Sequence, residues 1–282
     1  MRTKYAIINM LVGVGGQIFN LILSFVARMV FVHYLSQAYL GVNGLFTDVL
    51  GLLNLAELGI GTAMIYSMYE PAARNDEKQL ARMMNLYKRM YRIVALGVLT
   101  IGLILLPFLH VFVKDGGGIE HLRLIYCMYV VSSASSYLLS YKNSIYLAYQ
   151  KGYIRAGLSQ LIELLRYAVQ IAVLILTGNF ILYLLTQFII QFLPNIIISR
   201  KVDREYPYLK ASKELPLPEE RRSIFKNVGA MSIHRLATVI VRNTDSIIMS
   251  SFIGLGTVGL YSNYRMILSG LNQLISKFFA SF

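Results

Sequence analysis

The chain has 282 residues, of which 56% are hydrophobic and only 15% charged, and its mean hydropathy is +0.56. Soluble domains carry about 25% charged residues, so this composition excludes an ordinary soluble domain and indicates an integral membrane protein. The single cysteine, Cys127, excludes a disulfide framework and a cysteine-based metal site. The net charge of +13 would suggest nucleic acid in a soluble protein, but loop charges of a membrane protein explain it without a nucleic-acid partner.

Apolar stretches long enough to cross a bilayer recur along the whole chain. A helix needs about 20 mostly apolar residues to cross the hydrocarbon core. This length predicts an all-α, polytopic membrane protein with about eight spans, at 6–34, 40–69, 90–113, 122–149, 156–177, 179–199, 225–253 and 257–282. The fourth and eighth spans are rich in Ser, Tyr and Asn, so we expect them to face other helices or water.

Lys and Arg lie mostly in alternate connections between these spans. They occur at the N-terminus and in the links after spans two, four and six, whereas the opposite side carries only Lys114 and Arg123. The positive-inside rule therefore predicts a cytoplasmic N-terminus in a multi-pass protein of the plasma membrane.

Two polar segments organise the chain further. Residues 70–89 carry apolar residues at helical spacing, which predicts a short amphipathic helix at the cytoplasmic surface. Residues 201–224 contain three prolines and mixed charges, and predict a linker. We therefore expect a first six-helix bundle over 1–200, a linker over 201–224 and the beginning of a second bundle over 225–282.

A weak internal repeat supports this division. Residues 39–55 and 257–273 align with an offset of 218 residues, so that Gly41 meets Gly259 and Asn54 meets Asn272. Parallel repeats of a six-span unit are a known transporter plan. If the repeat is real, the chain is C-terminally truncated; otherwise the similarity is accidental and 276–282 is a natural end.

Charged side chains occur inside the predicted spans, although each costs about 2.5–3.5 kcal/mol at the bilayer centre. Such charges usually line a polar cavity for a charged passenger. Six are basic and four acidic, and this excess favours an anionic passenger. The ten are Arg28, Asp48, Glu57, Glu163, Arg166, Arg235, Arg242, Asp245, Arg265 and Lys277.

Spans one and seven carry polar residues along one helical face. In span seven, Arg235, Arg242 and Asp245 are spaced by seven and three residues. In span one, a polar stripe ends at Arg28 and argues against lipid exposure, although a lone arginine there could also reach the outer interface. The stripe contains Gln17, Asn20, Ser24 and Arg28.

The remaining charges divide into expected ion pairs and expected cavity carboxylates. Glu163 and Arg166 are one helical step apart and are expected to pair. Asp48 and Glu57 lie on span two, where Glu57 is a candidate for H⁺ or Na⁺ coupling or, alternatively, the partner of an arginine on another span. Arg265 is a candidate for the basic cavity, and Lys277 for the cavity or the inner interface.

Two segments resemble a known family. Residues 31–64, "FVHYLSQAYLGVNGLFTDVLGLLNLAELGIGTAM", and 243–268, "NTDSIIMSSFIGLGTVGLYSNYRMIL", are similar to the second and the seventh to eighth spans of the bacterial polysaccharide-biosynthesis flippases. The resemblance implies the Wzx-type branch of the multidrug/oligosaccharidyl-lipid/polysaccharide exporter superfamily. Its fold has two six-helix bundles around a central cavity, 12 to 14 spans in all.

The resemblance also implies a function. An undecaprenyl-diphosphate-linked oligosaccharide would be flipped to the outer leaflet by alternating access, without covalent chemistry or a cofactor, and other membrane proteins of polysaccharide assembly are expected partners. Arginine suits diphosphate, and amide side chains suit sugars. The expected substrate-binding residues are Arg28, Arg235, Arg242, Arg265, Asn20 and Gln17, with Glu57, Asp48 and Asp245 as coupling or cavity carboxylates.

Two alternatives stay open at this point. A cation-coupled drug antiporter of the same fold should favour acidic cavity residues. A membrane enzyme of polysaccharide assembly should carry a large outer loop or a carboxylate cluster at one interface. No nucleotide-binding loop, zinc spacing or nucleophile elbow occurs in the sequence.

Overall fold

The computed structural model describes the backbone of residues 2–57, 59–113, 119–211 and 214–279. Side chains are described over the same ranges except at 2–14, 56, 211, 233–235, 237–238, 242 and 277–279. Over these residues all regular structure is helical, which confirms the predicted all-α class. Two short 3-10 helices, Asn54–Glu57 and Leu106–Phe108, interrupt the α-helices. The α-helices are α1 Arg2–Tyr34, α2 Gln37–Leu53, α3 Ile60–Ala73, α4 Glu77–Leu105, α5 Leu109–Phe112, α6 Leu122–Ser140, α7 Asn143–Ala148, α8 Gly152–Thr177, α9 Phe180–Glu205, α10 Tyr208–Ala211, α11 Pro218–Phe252 and α12 Leu255–Phe279.

Several helical segments are long and apolar enough to cross a membrane, which confirms a polytopic membrane protein. Among the described residues these segments are Gly15–Tyr34, Glu77–Phe112, Leu122–Ser140, Gly152–Thr177 and Phe180–Glu205. They overlap five of the eight predicted spans. The spans at 40–69, 225–253 and 257–282 correspond to α2–α3, α11 and α12, and as spans they stay predictions.

The short amphipathic helix predicted at 70–89 does not exist as a separate element. Residues 77–89 are instead the first half of α4, whose N-terminus is capped by Asp76, the side chain of which accepts a hydrogen bond from the backbone N–H of Gln79 at 2.8 Å. No proline interrupts α4, and one apolar stripe at spacings of three and four continues from this half into the span. The stripe packs against other helices rather than facing a lipid surface. Its buried residues include Leu80, Met84, Tyr87, Tyr91, Val94 and Val98.

The predicted second span is broken rather than continuous. After α2 the chain passes through a 3-10 turn, and Gly59 adopts φ +80° and ψ −23° before α3 begins. A Cβ at Gly59 would lie 2.7 Å from the carbonyl oxygen of Val228 and 2.9 Å from the backbone nitrogen of Ser232, both in α11. Glycine is therefore required both by the left-handed backbone and by the close approach of α11.

α2 and α12 pack closely through a pair of equivalent glycine contacts. A Cβ on Gly41 would collide with the carbonyl oxygen of Leu255, and a Cβ on Gly259 would lie 2.5 Å from that of Gln37. The offset of 218 residues that relates Gly41 to Gly259 also relates Gln37 to Leu255. The repeat proposed from the sequence thus coincides with an approximately two-fold contact between α2 and α12.

The buried apolar residues form two clusters. One contains α3, most of α4 and the second half of α6; the other contains α2 and the first halves of α6 and α9. Between these apolar contacts, polar side chains from α3, α4 and α6 to α9 face one another and form the cavity described next.

Candidate functional site

A large polar cavity, here called the bundle cavity, lies inside the first group of helices. Its volume is 820 Å³, within the range of about 300–1,000 Å³ that is typical of ligand sites. Its lining includes two carboxylates and two guanidinium groups, so its formal charges balance. The polar lining residues are Asn54, Glu57, Thr62, Tyr87, Tyr91, Ser136, Tyr137, Ser140, Asn143, Ser144, Arg155, Ser159, Glu163, Arg166, Gln187, Gln191 and Asn195.

Glu57 enters this cavity from the break between α2 and α3. The hydroxyl of Tyr91 donates a hydrogen bond to Glu57 Oε1, and the hydroxyl of Tyr87 donates to that of Tyr91 at 2.9 Å. Tyr137 lines the same cavity as Glu57. Among the described residues no lysine or arginine lies within 4.0 Å of the Glu57 carboxylate. The side chains of Arg235 and Arg242 lie outside the described residues, so the alternative of a Glu57 paired with an arginine on another span stays a prediction.

Glu163 and Arg166 form the ion pair predicted from their spacing, and this prediction is confirmed. Arg166 also donates a hydrogen bond to Gln170 at 3.1 Å, and Gln170 donates to Gln187 at 3.2 Å. This network joins α8 to α9. It also places Arg166 and Gln187 in the walls of two neighbouring cavities, the bundle cavity and a smaller one.

The smaller cavity, here called the amide pocket, has a volume of 230 Å³ and lies among α1, α2, α8, α9 and α12. Two guanidinium groups, Arg28 and Arg166, line it together with carboxamides and tyrosines. Arg28 is half-buried and donates a hydrogen bond to the hydroxyl of Ser262 at 3.2 Å. The other polar lining residues are Ser24, Asn43, Tyr167, Gln170, Tyr183 and Gln187.

Arg28 also lies at the edge of a groove between α1 and α12, here called the apolar groove. Its volume is 560 Å³, and its lining is predominantly hydrophobic. The lining residues other than Arg28 are Phe25, Met29, Val32, His33, Asn263, Met266 and Ile267. Arg28 is thus shared by a polar pocket and an apolar groove.

Arg265, expected in the basic cavity, is instead neutralised. Its guanidinium donates to Asp48 Oδ2 at 2.5 Å, and the Asp48 side chain is only 3% exposed. Asp245 accepts a hydrogen bond from the hydroxyl of Tyr261 at 2.5 Å, and the Arg265 guanidinium lies 5.9 Å from the Tyr261 ring centroid. Neither Asp48 nor Asp245 lines the bundle cavity.

The remaining predicted residues of span one lie between helices. Gln17 is buried and donates to the carboxamide of Gln273 at 2.9 Å, which joins α1 to α12. The carboxamide oxygen of Asn20 is buried, and among the described residues it has no hydrogen-bond partner. Neither residue lines the bundle cavity or the amide pocket, so their predicted contact with substrate stays a prediction.

The side chains of Arg235, Arg242 and Lys277 lie outside the described residues, so the predicted basic face of span seven stays a prediction. Sequence reasoning missed the tyrosines around Glu57 and the amides of span six. It had a signal for span four, because the Ser, Tyr and Asn residues that predicted a polar environment there do line the bundle cavity. Among the described residues no cluster of three potential metal ligands occurs.

The helices and cavities define a class, a polytopic all-helical membrane protein with a polar interior cavity. The chain also matches the family model described as "Polysaccharide biosynthesis protein" over residues 7–281. Because the match covers nearly the whole chain, this protein belongs to that family. No curated protein and no solved structure matches it.

Proposed function

We propose that this protein flips an undecaprenyl-diphosphate-linked oligosaccharide across the bacterial cytoplasmic membrane by alternating access, for export of a surface polysaccharide. Membership of the polysaccharide biosynthesis family supports a role in polysaccharide export. The substrate combines a long apolar chain, a diphosphate and a polar sugar chain. A protein that carries it must therefore offer an apolar surface beside an anion site.

The proposal rests on one observation, the environment of Arg28. Three of the six basic residues predicted within spans have described side chains, and two of these, Arg166 and Arg265, contact a carboxylate. Arg28 contacts no carboxylate among the described residues, and it donates a hydrogen bond to the neutral hydroxyl of Ser262. A guanidinium held in this way is suited to bind phosphate oxygens, because its planar fork donates two parallel hydrogen bonds.

The position of Arg28 also suits a lipid-linked anion. The apolar groove on one side could hold part of the polyprenyl chain, and the amide pocket on the other offers polar partners. A cationic drug would be repelled by an unpaired guanidinium, which argues against the antiporter alternative. A purely soluble anion would have no use for the groove.

Alternating access would need the helices around α2 and α12 to move against each other. The close glycine contacts between α2 and α12 and the break at Gly59 supply an interface and a bend for such a movement. As part of the proposal, Glu57 couples flipping to H⁺ or Na⁺, since its carboxylate faces a polar cavity without a basic partner among the described residues. The N-terminus is cytoplasmic in this proposal.

Binding of undecaprenyl diphosphate to the purified protein, measured by native mass spectrometry, tests the anion site. Loss of hydrogen bonds to a charged group costs about 1.5–3 kcal/mol, so Arg28→Gln should weaken binding about ten- to a hundredfold. Arg28→Lys keeps the positive charge but not the planar guanidinium, so it should weaken binding less than Arg28→Gln does. Arg74→Gln is the matched control, because Arg74 forms an exposed pair with Glu70. Unchanged binding by Arg28→Gln would contradict the proposal.

A further inference from the structure

The bundle cavity, with a volume of 820 Å³, is not used by the anion site. It adjoins the amide pocket, since Arg166 and Gln187 line both. The apolar groove, the amide pocket and the bundle cavity therefore follow one another. Arg28 lies between the first two, and Arg166 and Gln187 lie between the last two. A ligand anchored at Arg28 by its charged group could extend through the amide pocket into the bundle cavity.

The charges of the bundle cavity limit what it can bind. Glu57 and Glu163 balance Arg155 and Arg166, and Arg166 is already paired with Glu163. A second strongly anionic group would meet both carboxylates, and a cation would meet both guanidinium groups. The cavity as a whole therefore favours an uncharged ligand.

The remaining lining residues indicate a polyhydroxylated ligand. Hydroxyl and carboxamide groups both donate and accept hydrogen bonds, as sugar hydroxyls do. Side chains of this kind come from every wall: Asn54 and Thr62, then Ser140 and Asn143 on the α6–α7 side, and Gln191 and Asn195 on α9. The tyrosines add aromatic rings with a polar tip. A hydrocarbon chain would leave all of these groups without partners in a dry cavity, which is costly.

From this lining we infer that the bundle cavity binds the uncharged sugar chain of the passenger, with Arg166 and Gln187 at its entrance from the amide pocket. The inference rests on the proposed function and deepens it, because it assigns a separate subsite to the oligosaccharide inside the first helical bundle. When no passenger is bound, a polar cavity of this size holds water.

Protection of introduced cysteines tests the subsite in the full chain. Cys127 is the single native cysteine, so Cys127→Ser gives a background in which one new thiol reports one position. Gln191→Cys reports the bundle cavity and Ser24→Cys the amide pocket. Tyr66→Cys is the control, since Tyr66 is 63% exposed and lies outside both linings. Ser159→Cys, also in the bundle cavity, replaces Gln191→Cys if the latter does not elute as a monodisperse protein.

The rate of labelling by a small methanethiosulfonate is measured in nanodiscs with two probes. One is undecaprenyl diphosphate, and the other is the oligosaccharide-bearing lipid extracted from cells that naturally carry this chain. At a lipid concentration about tenfold above the dissociation constant, a protected thiol should react about tenfold more slowly. Without lipid, Gln191→Cys should be labelled, and an unreactive thiol would contradict a hydrated cavity.

The two probes separate the two proposals. The sugar-bearing lipid should protect both Ser24→Cys and Gln191→Cys, whereas the sugar-free lipid should protect Ser24→Cys alone. Protection of Ser24→Cys by both lipids, with Gln191→Cys labelled equally fast in all cases, would overturn the sugar subsite and leave the anion site intact. Protection of neither position by either lipid would overturn the proposed function itself.

Discussion

The ion pair between Asp48 and Arg265 should respond asymmetrically to mutation. Asp48 has a side chain that is 3% exposed, whereas that of Arg265 is 38% exposed. Arg265→Gln leaves a buried carboxylate without its cation, which costs about 3–5 kcal/mol when a buried pair is broken. Asp48→Asn leaves a cation that is already 38% exposed, so the loss of stability should be closer to that of a hydrogen bond to a charged group, about 1.5–3 kcal/mol.

The measurement is the free energy of unfolding of the purified protein in one detergent, by steric trapping, for the two single variants and the double variant. We expect Arg265→Gln to be the more destabilising single change. The free energy of unfolding should fall less in the double variant than the sum of the two single losses, since residues in contact show coupling energies of about 0.5–3 kcal/mol. Equal losses for the two single variants, or strict additivity, would refute the argument that Asp48 is the buried member of a coupled pair.

Two further predictions concern packing and the linker. Gly41→Ala and Gly259→Ala should each destabilise the protein by about 1–3 kcal/mol in the same unfolding assay, because either Cβ would meet a carbonyl oxygen of the facing helix. Gly256→Ala is the control, since a Cβ at that position meets nothing within 4 Å. A loss for Gly256→Ala as large as for the other two would contradict a specific contact. In the linker, hydrogen bonds from Arg82 at 2.9 and 2.6 Å lower the pKa of Glu214 from its usual 4.5. The contact between Arg82 and Glu214 should be fully present above pH 4.5 and be lost as the pH falls through the lowered pKa of Glu214. A spin label in the linker should therefore gain mobility only in that acidic range. A label that is equally mobile at neutral pH would contradict this contact.

Hydropathy predicted the five helical segments that are long and apolar enough to cross a membrane, because a bilayer imposes length and composition on every crossing segment. The local pair Glu163–Arg166 was also predictable, since three residues along a helix bring two side chains together. The partner of Asp48 was not, because Arg265 is 217 positions away and only the packing of α2 on α12 brings them together. Sequence spacing carries no information on such contacts.

The break at Gly59 and the unbroken α4 show a second limit of prediction from sequence. A glycine in a predicted span is compatible with tight helix packing and with a bend, so its presence alone does not predict which occurs. At Gly59 both occur, and the close approach of the α11 backbone could not be predicted from the sequence. In α4, residues 77–89 resembled a membrane-surface helix because they combine apolar residues at helical spacing with many charged and polar residues. Those apolar residues are buried against neighbouring helices, and helix–helix packing cannot be distinguished from lipid contact by periodicity alone.

Transbilayer exchange of a fluorescent undecaprenyl-diphosphate oligosaccharide in vesicles containing the full-length protein tests the central claim most directly. The protein should accelerate exchange over protein-free vesicles. Arg28→Gln should abolish most of that acceleration while Arg74→Gln retains it, at equal membrane insertion. Exchange no faster than in protein-free vesicles, or undiminished exchange by Arg28→Gln, would contradict the account.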